Sequence, residues 1–344
     1  MVDAADSKSA GACSMRVRVP LSAPNFIINS RDFFYKKSFL ILYGGKMSKI
    51  IRGISKNARF WVIDSTSLIQ NAQNIHNMSP TAIAAFGRLL TAGAMMGTNL
   101  KGDDLLTLRI DSEGPIKQMV VTATSSGNVK GYVANPQEDL PLKENGHPDV
   151  AGLIGAGALR VIKDMGLKNA DPYMGISNLQ TGEIAEDLAY YFFTSEQTPT
   201  VIALGVSINK DMSVKAAGGY MVQLMPDSDE EFVDKLEEKI KNIRTVTELL
   251  EGGMDPLRIA KLIYEDMNSE NHDDLIEKYQ ILEENTVDYK CDCNKDKFYK
   301  GLMTLGKDEI NHILEHDNKI ETECHFCKSK YVFTEEDFKE ITTS

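Results

Sequence analysis

The sequence predicts an α+β fold, and three observations predict it: strand patterns that follow one another in series with helices grouped between them, a turn to charged helical sequence past Pro226, and four cysteines gathered near the C-terminus. The expected order is a mixed sheet and helix core domain, a helical linker and a small cysteine-bearing module. With 344 residues, 42% of them hydrophobic, the chain suffices for about two domains and a smaller module. A formal net charge of -12 repels phosphate backbones and no basic patch offsets it, so no nucleic-acid partner is expected. No apolar run approaches the roughly 18 residues that span a bilayer. The best stretch, Phe39 to Tyr43 behind Lys36 and Lys37, is too short for a span and too far from Met1 for a secretory signal; no membrane partner and a cytoplasmic location are expected.

Residues 1–46 lack sustained periodicity, whereas an alternating, strand-like pattern follows Met47 directly. The first segment is expected to be an over-extended reading frame or a disordered tail. Val17-Arg18-Val19-Pro20 can be encoded by GTTCGAGTCCC, which has the form of a transfer-RNA T-arm, and Pro24 can supply the terminal CCA. Gly44-Gly45 can be encoded by a purine-rich ribosome-binding site ahead of Met47.

The core domain is assigned to residues 47–226. Arg59 to Asp64 reads as a strand, and Ser65 as the cap of a helix carrying Leu68, Ile69, Ala72 and Ile75 on one face. Ser79-Pro80 then sets a cap and a first-turn proline before a helix rich in alanine and methionine, running to about Leu100. Leu105 to Ile110, Ile116 to Thr124 and Val129 to Val133 read as a meander, punctuated by Glu113-Gly114-Pro115 and Ser126-Gly127-Asn128. Beyond a polar loop come Gly152 to Gly157, an apolar run from Ala158 to Ile162, a helix from about Ile184 to Phe193, and strands near Val201 to Ile208 and Val214 to Met225.

Residues 227–287 are read as a metastable helical linker. Phe232, Leu236, Ile240 and Ile243 form one apolar stripe along a charged helix. Thr245 to Glu248 fits a capping box, Gly252-Gly253 a stop, and Asp255-Pro256 the start of a helix bearing Leu257, Ile259, Ala260 and Ile263. Helices this short are marginal alone in water, so their stripes need an outside surface.

Residues 288–344 hold Cys291-Asp292-Cys293 and Cys324-His325-Phe326-Cys327. In a reducing compartment such grouping points to metal or redox chemistry rather than to a disulfide scaffold. Two close pairs joined by a loop suit a tetrahedral Zn²⁺, each pair supplying two thiolates from one turn. Lys290, Lys295, Lys328 and Lys330 could offset the charge of four thiolates, or could form an ordinary solvated surface. A module of about fifty residues has a small core, to whose folding a structural zinc can add on the order of 10 kcal/mol. Oxidation of a ligand would withdraw that contribution, so these cysteines can both hold structure and sense oxidant.

Other readings stand beside this one. His312 and His316, spaced i, i+4, could join Cys291 and Cys293 in a Cys2His2 site, which would leave Cys324 and Cys327 idle; His325 could replace one cysteine. Cys13 lies in the doubtful first segment. On spacing alone, a permanently structural zinc module is favoured over a switch. A thiol–disulfide oxidoreductase would open a helix with its CxxC pair, but Cys327 is followed by the strand-like Lys330 to Phe333. Gly152 to Gly157 resembles a phosphate loop only superficially, because the apolar run follows the glycines instead of preceding them. Glu183, Glu186 and Asp187 suit a helix dipole better than acid–base work. With no Ser/His/Asp arrangement in view, no enzyme activity is expected.

The residues from Met47 onward resemble the heat-shock protein 33 family of redox-regulated bacterial holdases. The most specific match is CxC followed by Cys-His-Phe-Cys. Further matches are Gly155 to Asp164 (GALRVIKD preceded by GA), Gly182 to Ala189 (GEIAEDLA), and Ser195-Glu196-Gln197 followed by Leu204-Gly205-Val206. The resemblance implies an ATP-independent chaperone that is inactive when reduced, with one Zn²⁺ per chain on Cys291, Cys293, Cys324 and Cys327. It further implies oxidative activation through disulfides Cys291 to Cys293 and Cys324 to Cys327, with zinc release and linker unfolding. The implied partners are unfolded or oxidatively damaged client proteins, a second copy of the chain when activated, and a downstream ATP-dependent refolding chaperone.

Overall fold

The computed structural model describes residues 15–18, 47–166, 171–265 and 275–338. Cys13, Pro24, Phe39 to Tyr43 and Gly44-Gly45 lie outside these residues. The α+β class expected from sequence is the class observed. The chain divides into two compact units: one contains Met47–Cys291, and the other contains Asp292 onward together with strand β1 (Met15–Arg18), the described part of residues 1–46.

The first unit opens with β2 (Ser48–Ser55) and β3 (Ala58–Asp64), followed by helices α1 (Thr66–His76) and α2 (Pro80–Gly97). The expected meander is β4 (Leu105–Ser112), β5 (Gln118–Thr124) and β6 (Val129–Val133). Short helix α3 (Val150–Ile154), β7 (Gly157–Asp164), β8 (Tyr173–Asn178) and α4 (Ala185–Ser195) lead to β9 (Thr200–Ile208) and β10 (Val214–Leu224). Helices α5 (Glu230–Asn242), α6 (Val246–Glu251) and α7 (Pro256–Tyr264) precede β11 (Tyr279–Val287). The strands form two antiparallel five-stranded sheets, ordered β11-β2-β3-β10-β9 and β6-β5-β4-β7-β8.

Helix α2 lies between the two sheets, touching β4, β5 and β6 of one and β3, β9 and β10 of the other. Every one of its residues except Pro80 and Arg88 is buried, as expected of a helix apolar on all sides. Its start is the one expected: Ser79 Oγ accepts from the Ala82 amide and Pro80 occupies the first turn. Small residues bring the sheet close. A Cβ on Gly97 would stand 2.7 Å from the Thr124 carbonyl oxygen, and one on Gly93 would stand 2.7 Å from Val121 Cγ1. Arg88 leaves the core toward Glu183, at 2.5 Å, and Lys143 Nζ approaches the same carboxylate at 2.7 Å.

The first sheet is apolar on both faces. Along β2 and β3, Ile50, Trp61 and Ile63 face the α2 core, while Ile51, Phe60 and Val62 face the other way, joined by Tyr220 and Val222 of β10. That outer face is covered by Phe232 and Leu236 of α5, Val246 and Leu249 of α6, and Ile259, Ile263 and Tyr264 of α7. The stripes read from sequence thus have their surface. An aromatic group joins the layers, with Phe60 5.1 Å from Tyr264 and 5.6 Å from Tyr279, centroid to centroid.

Several expectations need correction. Residues 227–287 are not helical throughout, because Tyr279–Val287 pairs with β2 and forms an edge of the first sheet. Its polar sequence hides a strand whose stabilising side chains belong to its neighbour: Glu284 reaches Lys49 and Glu283 reaches Arg52, each at 2.9 Å. Ser65 does not cap α1 through its side chain; Ser65 Oγ lies 2.8 Å from Thr91 Oγ1, and the Leu68 amide donates to Ser48 Oγ instead. β8 had no sequence expectation. Gly155, at φ 65, and Gly157 form the turn between α3 and β7, where a Cβ on Gly157 would meet the Asp111 carbonyl oxygen at 2.1 Å. Asp187 is buried and its carboxylate accepts from the amides of Gln180, Thr181 and Ile184, so it braces the turn before α4.

The second unit contains α8 (Lys295–Leu302), α9 (Lys307–Asp317), β12 (Ile320–Cys324) and β13 (Lys330–Phe333). The strands form a three-stranded antiparallel sheet ordered β1-β12-β13, in which Met15 is the register partner of Cys324 and Arg18 that of Glu321. Its buried residues include Phe298, Leu302, Ile310, Ile320, Phe333 and Phe338. Among the described residues of the chain, no helix is long and apolar enough to cross a membrane.

The packing around α2 makes a direct prediction. Gly97→Ala should lower stability by about 1–3 kcal/mol despite alanine's better helix propensity, because the obstructing atom is backbone. Thermal unfolding followed by circular dichroism would register a lower Tm; an unchanged or higher Tm would contradict this close approach.

Candidate metal and redox centre

Four sulfurs converge at one place. The Sγ atoms of Cys291, Cys293, Cys324 and Cys327 all lie within 4.8 Å of one another, with Cys324 buried and the others half-buried. Each pair is placed by a local device. Cys293 directly precedes Asn294, whose side chain accepts from the Lys297 amide and caps α8, so the positive end of that helix begins beside the first pair. The second pair spans the turn from β12 to β13. There the Cys324 amide donates to the Ser329 carbonyl at 2.9 Å, and the Lys328 amide donates to the Cys324 carbonyl at 2.8 Å. Lys328 takes a left-handed conformation, φ 60, which bends the chain sharply enough to turn both sulfurs to one side.

None of the four cysteines is joined in a disulfide. The 3.2 Å between Cys293 Sγ and Cys327 Sγ is well beyond a disulfide bond of about 2.05 Å. Four sulfurs arranged tetrahedrally at about 2.3 Å from a zinc ion stand roughly 3.8 Å apart. The cluster therefore has the donor set and the dimensions of a four-thiolate metal site. Among the described residues, it is the one group of cysteine, histidine and carboxylate side chains close enough to hold an ion. His312 and His316 do not join it: their rings lie 4.4 Å apart, and His316 Nδ1 is 2.8 Å from the His312 carbonyl oxygen. His325 is not among the converging groups.

Charges around the centre are largely committed to each other. Lys295 pairs with Asp337 at 2.7 Å and lies over the Phe333 ring. Lys328 and Lys330 reach Glu323 at 3.6 and 3.9 Å, and Lys297 pairs with Asp292. Of the lysines considered from sequence as partners of the sulfurs, Lys295, Lys328 and Lys330 thus have carboxylate partners. Sequence reasoning missed Tyr331, whose hydroxyl lies 3.2 Å from Cys293 Sγ and whose ring packs 4.8 Å from that of Phe298. Burial, and then the neighbouring cysteines, push this phenol well above its ordinary pKa. Its position on β13, four residues beyond Cys327, was the available signal. Ser329 Oγ lies 3.2 Å from Cys327 Sγ and supplies another polar neighbour.

Comparison with known proteins agrees with this constellation. The family model described as Hsp33 protein matches residues 48–334. The 33 kDa chaperonin of Agathobacter rectalis is 45% identical over 286 residues, covering 83% of this chain and 95% of the relative. That of Clostridium botulinum is 41% identical over 297 residues, covering 85% of this chain and 96% of the relative. A crystal structure of the 33 kDa chaperonin of Thermotoga maritima superposes with a TM-score of 0.77 at 35% identity, covering 87% of this chain and 98% of that one. A match of this extent means that the chain belongs to the Hsp33 family of chaperones.

Proposed function

We propose that this protein is an ATP-independent holdase, silent when reduced and switched on by oxidation. Its family supports a chaperone role, and therefore the binding of unfolded client proteins. The carrying observation is that a sheet face bearing Phe60, Val62, Tyr220 and Val222 is covered by short helices from the segment that leads into the four-cysteine centre. The working parts are a core domain at 47–226, a metastable linker at 227–287 and a redox module at 288–344.

In the reduced state Cys291, Cys293, Cys324 and Cys327 act as four thiolate ligands to one Zn²⁺. A bound zinc ion would supply the cross-link that keeps a small module folded, a contribution on the order of 10 kcal/mol. Oxidation of a cysteine pair by hydrogen peroxide removes two electrons from two thiolates and forms one S–S bond, while the peroxide takes up two protons from solvent and is reduced to two water molecules. The proposed pairs are Cys291 with Cys293 and Cys324 with Cys327. Neither pair can then donate as thiolates, and the module loses its folding support.

Unfolding that travels back through β11 would loosen α5, α6 and α7. Helices of 13, 6 and 9 residues do not persist alone in water. Their release would bare two apolar surfaces at once, the stripes of the helices and the outer face of the sheet, and these are the proposed client-binding surfaces. The active form is proposed to dimerise and to pass its clients to an ATP-dependent refolding chaperone.

The test joins three measurements on one sample: zinc content, free-thiol count and suppression of client aggregation, before and after peroxide. About one zinc per chain is expected at the start, with its loss and that of four thiols accompanying the gain in holding activity. Equal client binding by reduced and oxidised protein, with zinc retained, would instead favour a permanently structural metal module. Peptide mapping checks the pairing, because Cys293 Sγ and Cys327 Sγ, from different pairs, lie 3.2 Å apart; a dominant cross-link between those two would overturn the proposed pairs.

A second expectation concerns the linker. Ile263, buried between α7 and the sheet, should destabilise the cover by about 2–5 kcal/mol when changed to alanine. Ile263→Ala should then reach half-maximal holding activity at a lower oxidant dose while keeping its zinc when reduced. A dose–response curve superimposing on that of the parent would separate the linker from activation.

A further inference from the structure

The four residues before Cys291 are fastened to the core more firmly than their place at the end of a linker requires. β11 pairs with β2 in the first sheet, and the chain then passes to the free edge of the second sheet, where Tyr289 forms a parallel bridge with Val129 of β6. The Val129 amide donates to the Asp288 carbonyl at 3.0 Å, and the Lys290 amide donates to the Val129 carbonyl at 2.8 Å. Asn71 Nδ2 donates to the Asp288 carboxylate at 2.9 Å, while the Asp288 amide donates to Asn128 Oδ1 at 3.0 Å. Val287 packs so closely over Gly127 that a Cβ there would stand 2.8 Å from Val287 Cγ1.

Tyr289 is the centre of this fastening. Its side chain is buried, and its hydroxyl donates to the Gly131 carbonyl at 2.5 Å while accepting from the Gly131 amide at 3.1 Å. His76 Nε2, at the end of α1, lies 2.9 Å from the same oxygen, and the His76 ring stands edge-on to Phe86 of α2. One side chain thus ties the segment bearing the first cysteine to α1, to β6 and, through His76, to the central helix. A segment needing only to connect two units would not bury a tyrosine with three polar contacts two residues before the first cysteine.

We infer that Tyr289 is a latch, a positioning residue that holds β11 and the segment up to Cys291 on the core and sets how readily loss of the redox module spreads into the linker. The inference rests on the proposed redox activation and adds a component to it. With the latch seated, unfolding that enters along the chain at Asp292 stops at Tyr289, because two sheet edges and a buried hydroxyl must be released together. With it withdrawn, the segment loses its buried anchor on α1 and β6, and β11 is left with its pairing to β2, the contacts of Val287 and Asp288, and exposed ion pairs, which contribute little. The cover formed by α5, α6 and α7 then loses the strand beside it.

The test uses the full chain, reduced and zinc-loaded, as Tyr289→Phe and Tyr289→Ala. Tyr289→Phe keeps the ring and removes the hydroxyl, so the core should fold with an unchanged circular-dichroism spectrum. Amide exchange across 279–290 should quicken by about tenfold in Tyr289→Phe, and further in Tyr289→Ala, with zinc content unchanged. The peroxide dose for half-maximal holding should fall in the same order. Parent-like exchange across 279–290 in Tyr289→Phe would overturn the latch, and if Tyr289→Ala does not fold, Tyr289→Phe decides alone. Should the parent gain no holding activity on oxidation, the proposed switch fails, while the exchange measurement on reduced protein still decides whether Tyr289 fastens the segment.

Discussion

A sheet that is apolar on both faces must be covered on both, and the first unit is organised around that constraint. The inner face of β2, β3 and β10 meets α2, whose small residues let two sheets close on one helix. The outer face carries Phe60, Val62, Tyr220 and Val222, and it is covered by the short helices after Pro226 together with Tyr279 of β11. The two covers are unequal. α2 is buried on all sides and cannot leave without dismantling the unit, whereas α5, α6 and α7 lie against one surface and present charged residues to solvent.

That inequality makes the outer cover suitable for regulation. Burying a large aliphatic side chain contributes roughly 1.5–3 kcal/mol, while ordering each residue of the cover opposes this by roughly 1–2 kcal/mol of backbone entropy. A cover with few anchors per helix is held by a small difference between large quantities. Small losses of support at its margin can therefore change its population strongly. β11 is that margin, and the residues immediately after it lead to the cysteine centre.

In the proposed mechanism the second unit depends on a different kind of support. Its core of Phe298, Leu302, Ile310, Ile320, Phe333 and Phe338 is small, and the four sulfurs converge beside it. A metal cross-link is strong but chemically conditional: it requires deprotonated, reduced sulfur. Hydrophobic burial in the first unit carries no such condition. Under the proposed function, placing conditional support next in sequence to a marginal cover would couple sulfur chemistry to the exposure of apolar surface.

Much of this was legible in the sequence wherever the cause is local. Ser79-Pro80, the Thr245 to Glu248 capping box and Asp255-Pro256 start helices through contacts within one turn, and the meander shows in alternation and turn residues. The four cysteines announce their chemistry by spacing, and their convergence agrees with it. What escaped is what depends on distant partners. β11 is a strand because the edge of β2 accepts it, Ser48 rather than Ser65 supplies a side-chain acceptor at the start of α1, and Tyr289 and Tyr331 take their roles from groups far away in the chain. The sequence by itself determined the helix starts, the apolar stripes and the grouping of the cysteines into two close pairs, since propensity, periodicity and spacing act over a few residues. Only the tertiary structure decided which surface those stripes cover and what fastens the segment before Cys291, because both are pairings between residues that chain order leaves unrelated.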